Sequence, residues 1–162
     1  MGMRTLISLA SGVVLVFAGA AAAQQPAPSY GSPGVTLEQA KHAAAAVEAE
    51  AGKNGFKMAI AVVSNEGSLI YFGRMEDTQF GSSEVAIHKA TTAAKFRRPT
   101  KVFSDGLTGS PPALPVVTLG VTAVEGGLPL ISNGKVIGAI GCSGGTATQD
   151  AMVCKAGADT IN

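Results

Sequence analysis

Residues 128–142 read LPLISNGKVIGAIGC, two apolar runs with Asn133-Gly134 between them. This dipeptide is the strongest short signal for a two-residue β-hairpin turn, because both of its residues tolerate positive φ. Gly144-Gly145 then breaks the second run, and the segment 146–161 has apolar residues at helical spacing. The sequence therefore predicts a hairpin that leads directly into a last helix. We expect that helix to bury one stripe, formed by Ala147, Ala151, Cys154, Ala158 and Ile161.

A second hairpin is predicted earlier in the chain. Residues 57–63 and 68–73 are short apolar runs joined by Ser64-Asn65-Glu66-Gly67, a pattern typical of two strands and a turn. Successive residues of the first run are apolar, so both of its faces are expected to be covered.

Helices are predicted before and between these hairpins. The first starts at the Thr36 capping box and ends at Gly52 or Gly55, with Leu37 opening its apolar stripe. The second spans residues 82–98, a short helical turn follows at 101–107, and glycine and prolines make 108–115 a loop. Strands and helices do not alternate in the βαβ manner. The fold class is therefore α+β, an antiparallel sheet flanked by helices.

The N-terminus is typical of a secretory signal peptide. Arg4 precedes an apolar run over residues 6–20, and small residues lead to Ala23. We expect cleavage near Ala23 and a periplasmic or secreted mature chain; an uncleaved membrane anchor is the alternative. Residues 24–35 are rich in proline and glycine, so they are interpreted as a flexible linker. The domain organisation is thus signal peptide 1–23, linker 24–35 and a domain over 36–162.

The amino-acid composition excludes several classes of protein. The chain has 162 residues, 46% of them hydrophobic and 14% charged, which is typical of one ordinary globular domain. Its 12 basic and 11 acidic side chains give no basic surface of the kind that binds nucleic acid. Two cysteines are too few for a disulfide-dense scaffold.

Motifs that define common catalytic sites are absent from the sequence. There is no Gly-x-Ser-x-Gly elbow, no His-Glu-x-x-His and no Walker-type phosphate loop. The glycine-rich turn at Gly144 and Gly145 joins a strand to a helix, so its amides can hold an anion, with Arg74 as a nearby cation. The competing interpretation is a tight turn without a ligand, because no basic residue lies within it.

Two histidines are candidate metal ligands. His42 follows Glu38 at i+4 in the first helix, and His88 follows Glu84 at i+4 in the second. A neighbouring carboxylate can hold the second ring nitrogen of a ligating histidine, although a solvated helix histidine paired with glutamate explains the same spacing. Lys89, Lys95, Arg97, Arg98 and Lys101 form a local excess of positive charge. These cations complement a helix C-terminus, or Arg97 and Arg98 bind a carboxylate.

Cys142 and Cys154 form a candidate disulfide. An exported chain permits the bond, and a last helix that folds back over its own strand would bring the two residues together. Packing of a helix on a sheet often leaves the Cα atoms too far apart, so the pairing stays open. The sequence has no Cys-x-x-Cys-His, the signature of covalent c-type haem.

Six segments resemble the GlcG/HbpS family when they are taken in order along the chain. They are TLEQA (36–40), AVVSNEG (61–67), RMED (74–77), KATTA (89–93), GGLPL (126–130) and GAIGCSGG (138–145). The resemblance implies a profilin-like or PAS-like α/β/α fold, homo-oligomers that include octamers, and binding of haem or iron. It also implies, for the secreted branch, a membrane sensor protein as partner and a role in redox or haem sensing.

The leading hypothesis is an exported protein that sequesters, and slowly degrades, non-covalently bound haem b. The resemblance favours His42 as the axial and metal ligand, followed by His88, with Arg97 and Arg98 for the propionates. Two alternatives stay open. The first is a module that senses a small hydroxy acid or another anion near Arg74, Gly144 and Gly145. The second is a structural oligomer that binds a partner protein.

Overall fold

The fold is described by a computed structural model, which covers residues 34–161. The predicted signal peptide, and all of the predicted linker except Gly34 and Val35, lie outside the described residues. The helices are α1 (Leu37–Lys53), α2 (Ser82–Phe96), α3 (Lys101–Thr108) and α4 (Ala147–Ala158). The strands are β1 (Ala59–Ser64), β2 (Leu69–Arg74), β3 (Gly127–Ser132) and β4 (Lys135–Ser143).

The four strands form one antiparallel sheet in the order β2-β1-β4-β3. Both predicted hairpins are present, and β1 and β4 pair at the centre of the sheet. Asn133 and Gly134 have φ values of 49° and 73°, as the predicted hairpin turn requires. This architecture confirms the α+β class and the antiparallel sheet flanked by helices.

Helices cover both faces of the sheet. On one face α1 and α4 bury a core that includes Val47, Ile60, Ile140 and Val153. On the other face α2 packs its alanines against the small residues of β1 and β4. A Cβ built on Gly141 would lie 2.5 Å from the backbone nitrogen of Ala90, so glycine is needed there for the close approach of α2.

The buried face of α4 differs from the prediction. Asp150, Val153, Cys154 and Gly157 are its buried residues, and Ile161 is buried just beyond it. The predicted stripe is confirmed at Cys154 and Ile161, and Ala158 packs against the core, whereas Ala147 and Ala151 are only half-buried. The buried face differs because Asp150 is buried, whereas the hydrophobic pattern assigned this charged residue to the solvent side.

Three smaller expectations need correction. Val35 was assigned to the linker, but its side chain is 5% exposed and its N–H donates to the carbonyl of Ile137, so it belongs to the domain. Leu37 was placed in the buried stripe of α1, yet it is 49% exposed because it lies in the first turn, beyond the edge of the core. The predicted loop at 108–115 runs into a 3-10 helix, Leu114–Leu119.

Candidate functional site

His42 lies on the solvent face of α1. The helix buries Ala40, Ala43 and Ala44 against the sheet, which leaves His42 exposed. Alanines follow at i+3, i+4 and i+7, of which Ala45 and Ala49 are exposed and Ala46 is half-buried. Residues at these spacings share one face of a helix. His42 therefore lies at the end of a flat, apolar surface of small side chains.

The charged neighbours of His42 are engaged in exposed ion pairs. The Nζ of Lys41 is 3.1 Å from a carboxylate oxygen of Glu38. Glu38 is thus paired with a lysine and is not placed as the hydrogen-bond partner expected for the imidazole. At the other end of α1, hydrogen bonding from Lys53, 3.0 Å away, lowers the pKa of Glu50. Exposed pairs of this kind contribute little to stability, so both lysines are available to an incoming anion.

His88 lies on the other side of the molecule. It is exposed on α2 and lines a cleft of about 280 Å³ together with Thr91, Thr92 and the segment from Gly120 to Thr122. The N–H of Thr122 donates to Thr92 Oγ1 at 3.0 Å, which fixes this segment against the helix. Because α1 and α2 cover opposite faces of the sheet, the structure does not bring His42 and His88 together within one chain.

The two arginines lie at the end of α2. Arg97 is the left-handed C-cap with φ 53°, and the Nε of Arg98 donates to the carbonyl of Phe96 at 3.1 Å. Both side chains are exposed. Arg97 follows His88 by nine residues, roughly 13 Å along the helix axis. The structure therefore places these cations about two and a half turns from His88 along the helix.

Lys89 is not part of the exposed positive charge that the sequence suggested. Its side chain is 1% exposed, and its Nζ donates to Asp150 Oδ2 at 2.7 Å and to the carbonyl of Cys142 at 3.0 Å. Asp150 is 4% exposed and also accepts the N–H of Gly145 at 2.8 Å. This buried ion pair ties α2 to α4 at the end of β4.

The sequence predictions did not include this pair, although the sequence contains a signal for it. Lys89 follows Ala86 at i+3 and precedes Ala93 at i+4, so it shares the buried stripe of α2. Asp150 precedes Cys154 at i+4, on the buried face of α4. Two opposite charges, each in register with a buried stripe, indicate an internal ion pair, since a lone buried charge is too costly.

The glycine turn and Arg74, the residues of the alternative anion site, both make contacts within the chain. The N–H of Gly145 is already bound to Asp150, and the N–H of Thr146 donates to Gln149 Oε1 at 2.9 Å. The guanidinium of Arg74 lies 5.1 Å from the ring centroid of Phe80. The amides of Gly145 and Thr146 are therefore bonded within the turn, and Arg74 lies over an exposed aromatic ring at the end of β2.

The structure joins Cys142 of β4 to Cys154 of α4 in a disulfide, with the two Cα atoms 5.5 Å apart. Both residues are fully buried. The α4 helix does fold back over its own strand, and Gly157 allows the close approach to α1. The bond lies beside the Lys89–Asp150 pair, because Lys89 also binds the carbonyl of Cys142.

Residues 34–161 hold no cluster of three or more His, Cys, Asp or Glu side chains that is suited to a metal ion. Across the same range, every helix is too short or too polar to cross a bilayer. An exposed histidine such as His42 or His88 can supply one imidazole nitrogen to a metal ion.

Comparisons with known proteins agree with this fold. The family model for the haem degrading protein HbpS-like matches residues 35–159. An uncharacterised 15.0 kDa protein of Citrobacter freundii is 36% identical over 134 residues, which cover 79% of this chain and 92% of that protein. Protein GlcG of Escherichia coli is 38% identical over 99 residues, covering 61% and 73%.

Solved structures show the same architecture. A double mutant of HbpS from Streptomyces reticuli superposes with a TM-score of 0.73 at 29% identity, covering 86% of this chain and 99% of that one. A complex of PduOC with heme superposes with a TM-score of 0.72 at 26% identity, covering 80% and 96%. These matches confirm the resemblance seen in the sequence. The chain belongs to the HbpS-like family.

Proposed function

We propose that this protein binds haem b non-covalently and sequesters it after export. The observation that carries the proposal is the match to the HbpS-like model over residues 35–159, joined with the similarity to PduOC, which has been solved with heme. The disulfide supports export, because such bonds persist in oxidising compartments such as the periplasm. Slow haem degradation and a role in sensing, with a membrane sensor protein as partner, belong to the same proposal.

The surface around His42 fits a planar macrocycle. An imidazole at one end of an exposed row of alanines offers one axial nitrogen and a flat apolar surface beside it. Haem would supply the iron centre that makes redox chemistry possible at this surface. The chain itself contributes the ligand nitrogen, the apolar contact and the nearby cations. Lys41 and Lys53 can exchange their exposed carboxylate partners for propionates, since such pairs are weak.

His88 is the second candidate ligand, and its surroundings differ. Its cleft of about 280 Å³ is lined by three threonines, and it lies at the small end of ligand sites in proteins. Arg97 and Arg98 lie beyond this end of the helix and remain the proposed propionate contacts for haem bound there. Because the two histidines lie on opposite layers, a haem with two histidine ligands would need two copies of the chain.

Absorption spectra of histidine variants separate the two candidates. We expect His42→Ala to shift the Soret maximum and to weaken hemin binding about tenfold or more, because it removes the axial nitrogen and leaves the alanine surface. His88→Ala serves as the matched control, since it removes an equally exposed helix histidine. The assignment to His42 is wrong if His88→Ala alone changes the spectrum, and both histidines are excluded if neither variant changes it.

A homo-oligomer is the second part of the proposal. Residues 109–124, which we call the strap, contain no charged residue. Four of its apolar side chains are exposed: Leu114 (61%), Val117 (61%), Leu119 (55%) and Val124 (43%). Several exposed apolar side chains within one uncharged segment favour an interaction site. We propose that a second copy covers the strap, in an assembly as large as an octamer.

A charge placed on the strap tests this assembly. We expect the double variant Val117→Asp/Leu119→Asp to convert the oligomer to a smaller species, because two carboxylates would be buried without partners in the interface. Mass is measured by light scattering after gel filtration. The control is Leu37→Asp, an exposed apolar residue in the first turn of α1, where an acidic side chain is favourable. An unchanged mass in the strap variant would contradict the proposed interface.

A further inference from the structure

The sequence contains two Asn-Gly pairs, Asn54-Gly55 and Asn133-Gly134. Asparagine is among the thermolabile residues of proteins, because the backbone nitrogen of the next residue can attack its side-chain amide. Glycine at the next position favours the attack, since it has no side chain to hinder the approach and its backbone rotates freely. These pairs are therefore the two positions at which the chain can most readily convert an amide to a carboxylate by itself.

Hydrogen bonds hold both reacting groups of the first pair. Asn54 is the C-cap of α1, and its Nδ2 donates to the carbonyl of Glu50 at 2.8 Å and to Glu50 Oε1 at 3.2 Å. The N–H of Gly55 donates to the carbonyl of Gly52 at 3.2 Å. These bonds must break before the nitrogen of Gly55 can reach the amide carbon of Asn54.

The second pair has no such restraint. Asn133 and Gly134 are both exposed at the tip of the hairpin that joins β3 to β4. Among residues 34–161, neither the side-chain amide of Asn133 nor the N–H of Gly134 has a hydrogen-bond partner. A Cβ built on Gly134 would meet no atom within 4 Å outside the adjacent residues, so the space around this turn is open. The amide and the attacking nitrogen are therefore free to rearrange without disturbing other contacts.

We propose that Asn133 is a site of spontaneous deamidation, with water as the co-reactant. The nitrogen of Gly134 forms a bond to Asn133 Cγ, and the Cγ–Nδ2 bond breaks. The amide leaves as ammonia and carries the proton that the nitrogen of Gly134 loses, which leaves a cyclic succinimide. Water then opens the ring: cleavage at Cγ gives aspartate, and cleavage at the main-chain carbonyl carbon gives isoaspartate. The net change replaces an amino group by a hydroxyl group, so neither an oxidant nor a reductant is needed.

Either product changes the surface at this end of the sheet. Asn133 lines a cleft of about 420 Å³ together with Lys135, which is the charged residue of the lining. The new carboxylate therefore offsets the charge of that lysine. Aspartate preserves the turn, because it tolerates positive φ. Isoaspartate instead adds its Cβ to the main chain between Ser132 and Lys135, which pair across the hairpin, so this product weakens the pairing.

The Asn54 pair serves as an internal control for the modification of Asn133. The protein is kept at mildly alkaline pH, either folded or unfolded in guanidinium chloride, and both sites are followed by peptide mapping with mass spectrometry. In the folded protein we expect Asn133 to convert about tenfold or more faster than Asn54, because only Asn54 must first lose its hydrogen bonds. In the unfolded chain the two sites should convert at similar rates.

The Asn133→Gly variant connects the change in charge to this turn. Gly-Gly also suits a two-residue hairpin turn, so the variant should fold. It should lose the gain of negative charge that isoelectric focusing detects in the wild type. The proposal is overturned if the two asparagines convert at equal rates in the folded protein, if Asn133 converts only in the unfolded chain, or if the variant becomes acidic as fast as the wild type. None of these measurements depends on haem.

Discussion

The Asp150→Ala variant is expected to lose about 3–5 kcal/mol of its free energy of unfolding, a large part of the roughly 5–15 kcal/mol of an ordinary domain. The substitution leaves the Lys89 ammonium 1% exposed and without its counter-charge. It also removes the acceptor for the N–H of Gly145, which lies at the strand-to-helix turn. Chemical denaturation followed by circular dichroism measures the loss.

The exposed pair at the end of α4 provides a matched control for this effect. Lys155 and Asp159 lie 2.6 Å apart, but their side chains are 67% and 53% exposed. Asp159→Ala should therefore change the stability by less than about 1 kcal/mol. The double variant Lys89→Met/Asp150→Leu should recover much of the loss, because it removes both buried charges together. Equal losses in Asp150→Ala and Asp159→Ala would contradict the account of the buried pair.

Removal of the disulfide is expected to cost about 3 kcal/mol. Cys142 and Cys154 are separated by 12 positions in the sequence, and the stabilisation expected for a loop of this length comes mainly from restriction of the unfolded chain. The Cys142→Ala/Cys154→Ala variant should therefore unfold at a lower urea concentration than the oxidised wild type. The m-value of the variant is expected to be larger than that of the oxidised wild type, because its unfolded chain is less compact and exposes more surface.

A reducing agent supplies the control for the disulfide. Both cysteines are fully buried, so reduction of the wild type is expected only under conditions that open the domain. Once reduced, the wild type should unfold close to the double variant, while the variant itself should not respond to the reductant. If wild-type stability were the same in the oxidised and reduced states, the bond would have no stabilising role.

Much of the fold could be predicted because local signals and the global fold agree. The capping box at Thr36 and the Asn133-Gly134 turn lie where the patterns indicated them. The face of α4 was the main error, since hydrophobic periodicity assigns every charge to solvent. The partner that makes burial of Asp150 possible is 61 residues away in sequence, and no local pattern contains it.

The candidate site was less predictable for a different reason. Spacing showed that His42 and His88 lie on polar helix faces, and both are exposed. Spacing could not show that the two helices cover opposite faces of one sheet, because this depends on the strand order β2-β1-β4-β3.

Titration of hemin into the mature chain, residues 24–162, tests the central claim most directly. The measurement is the absorption spectrum at increasing ratios of hemin to protein, with the protein concentration fixed. The account predicts a sharpened Soret band that saturates at a defined stoichiometry, because a histidine on an apolar surface forms a limited number of equivalent sites. A broad spectrum like that of free hemin, which grows without saturation, would contradict the proposed haem-binding function.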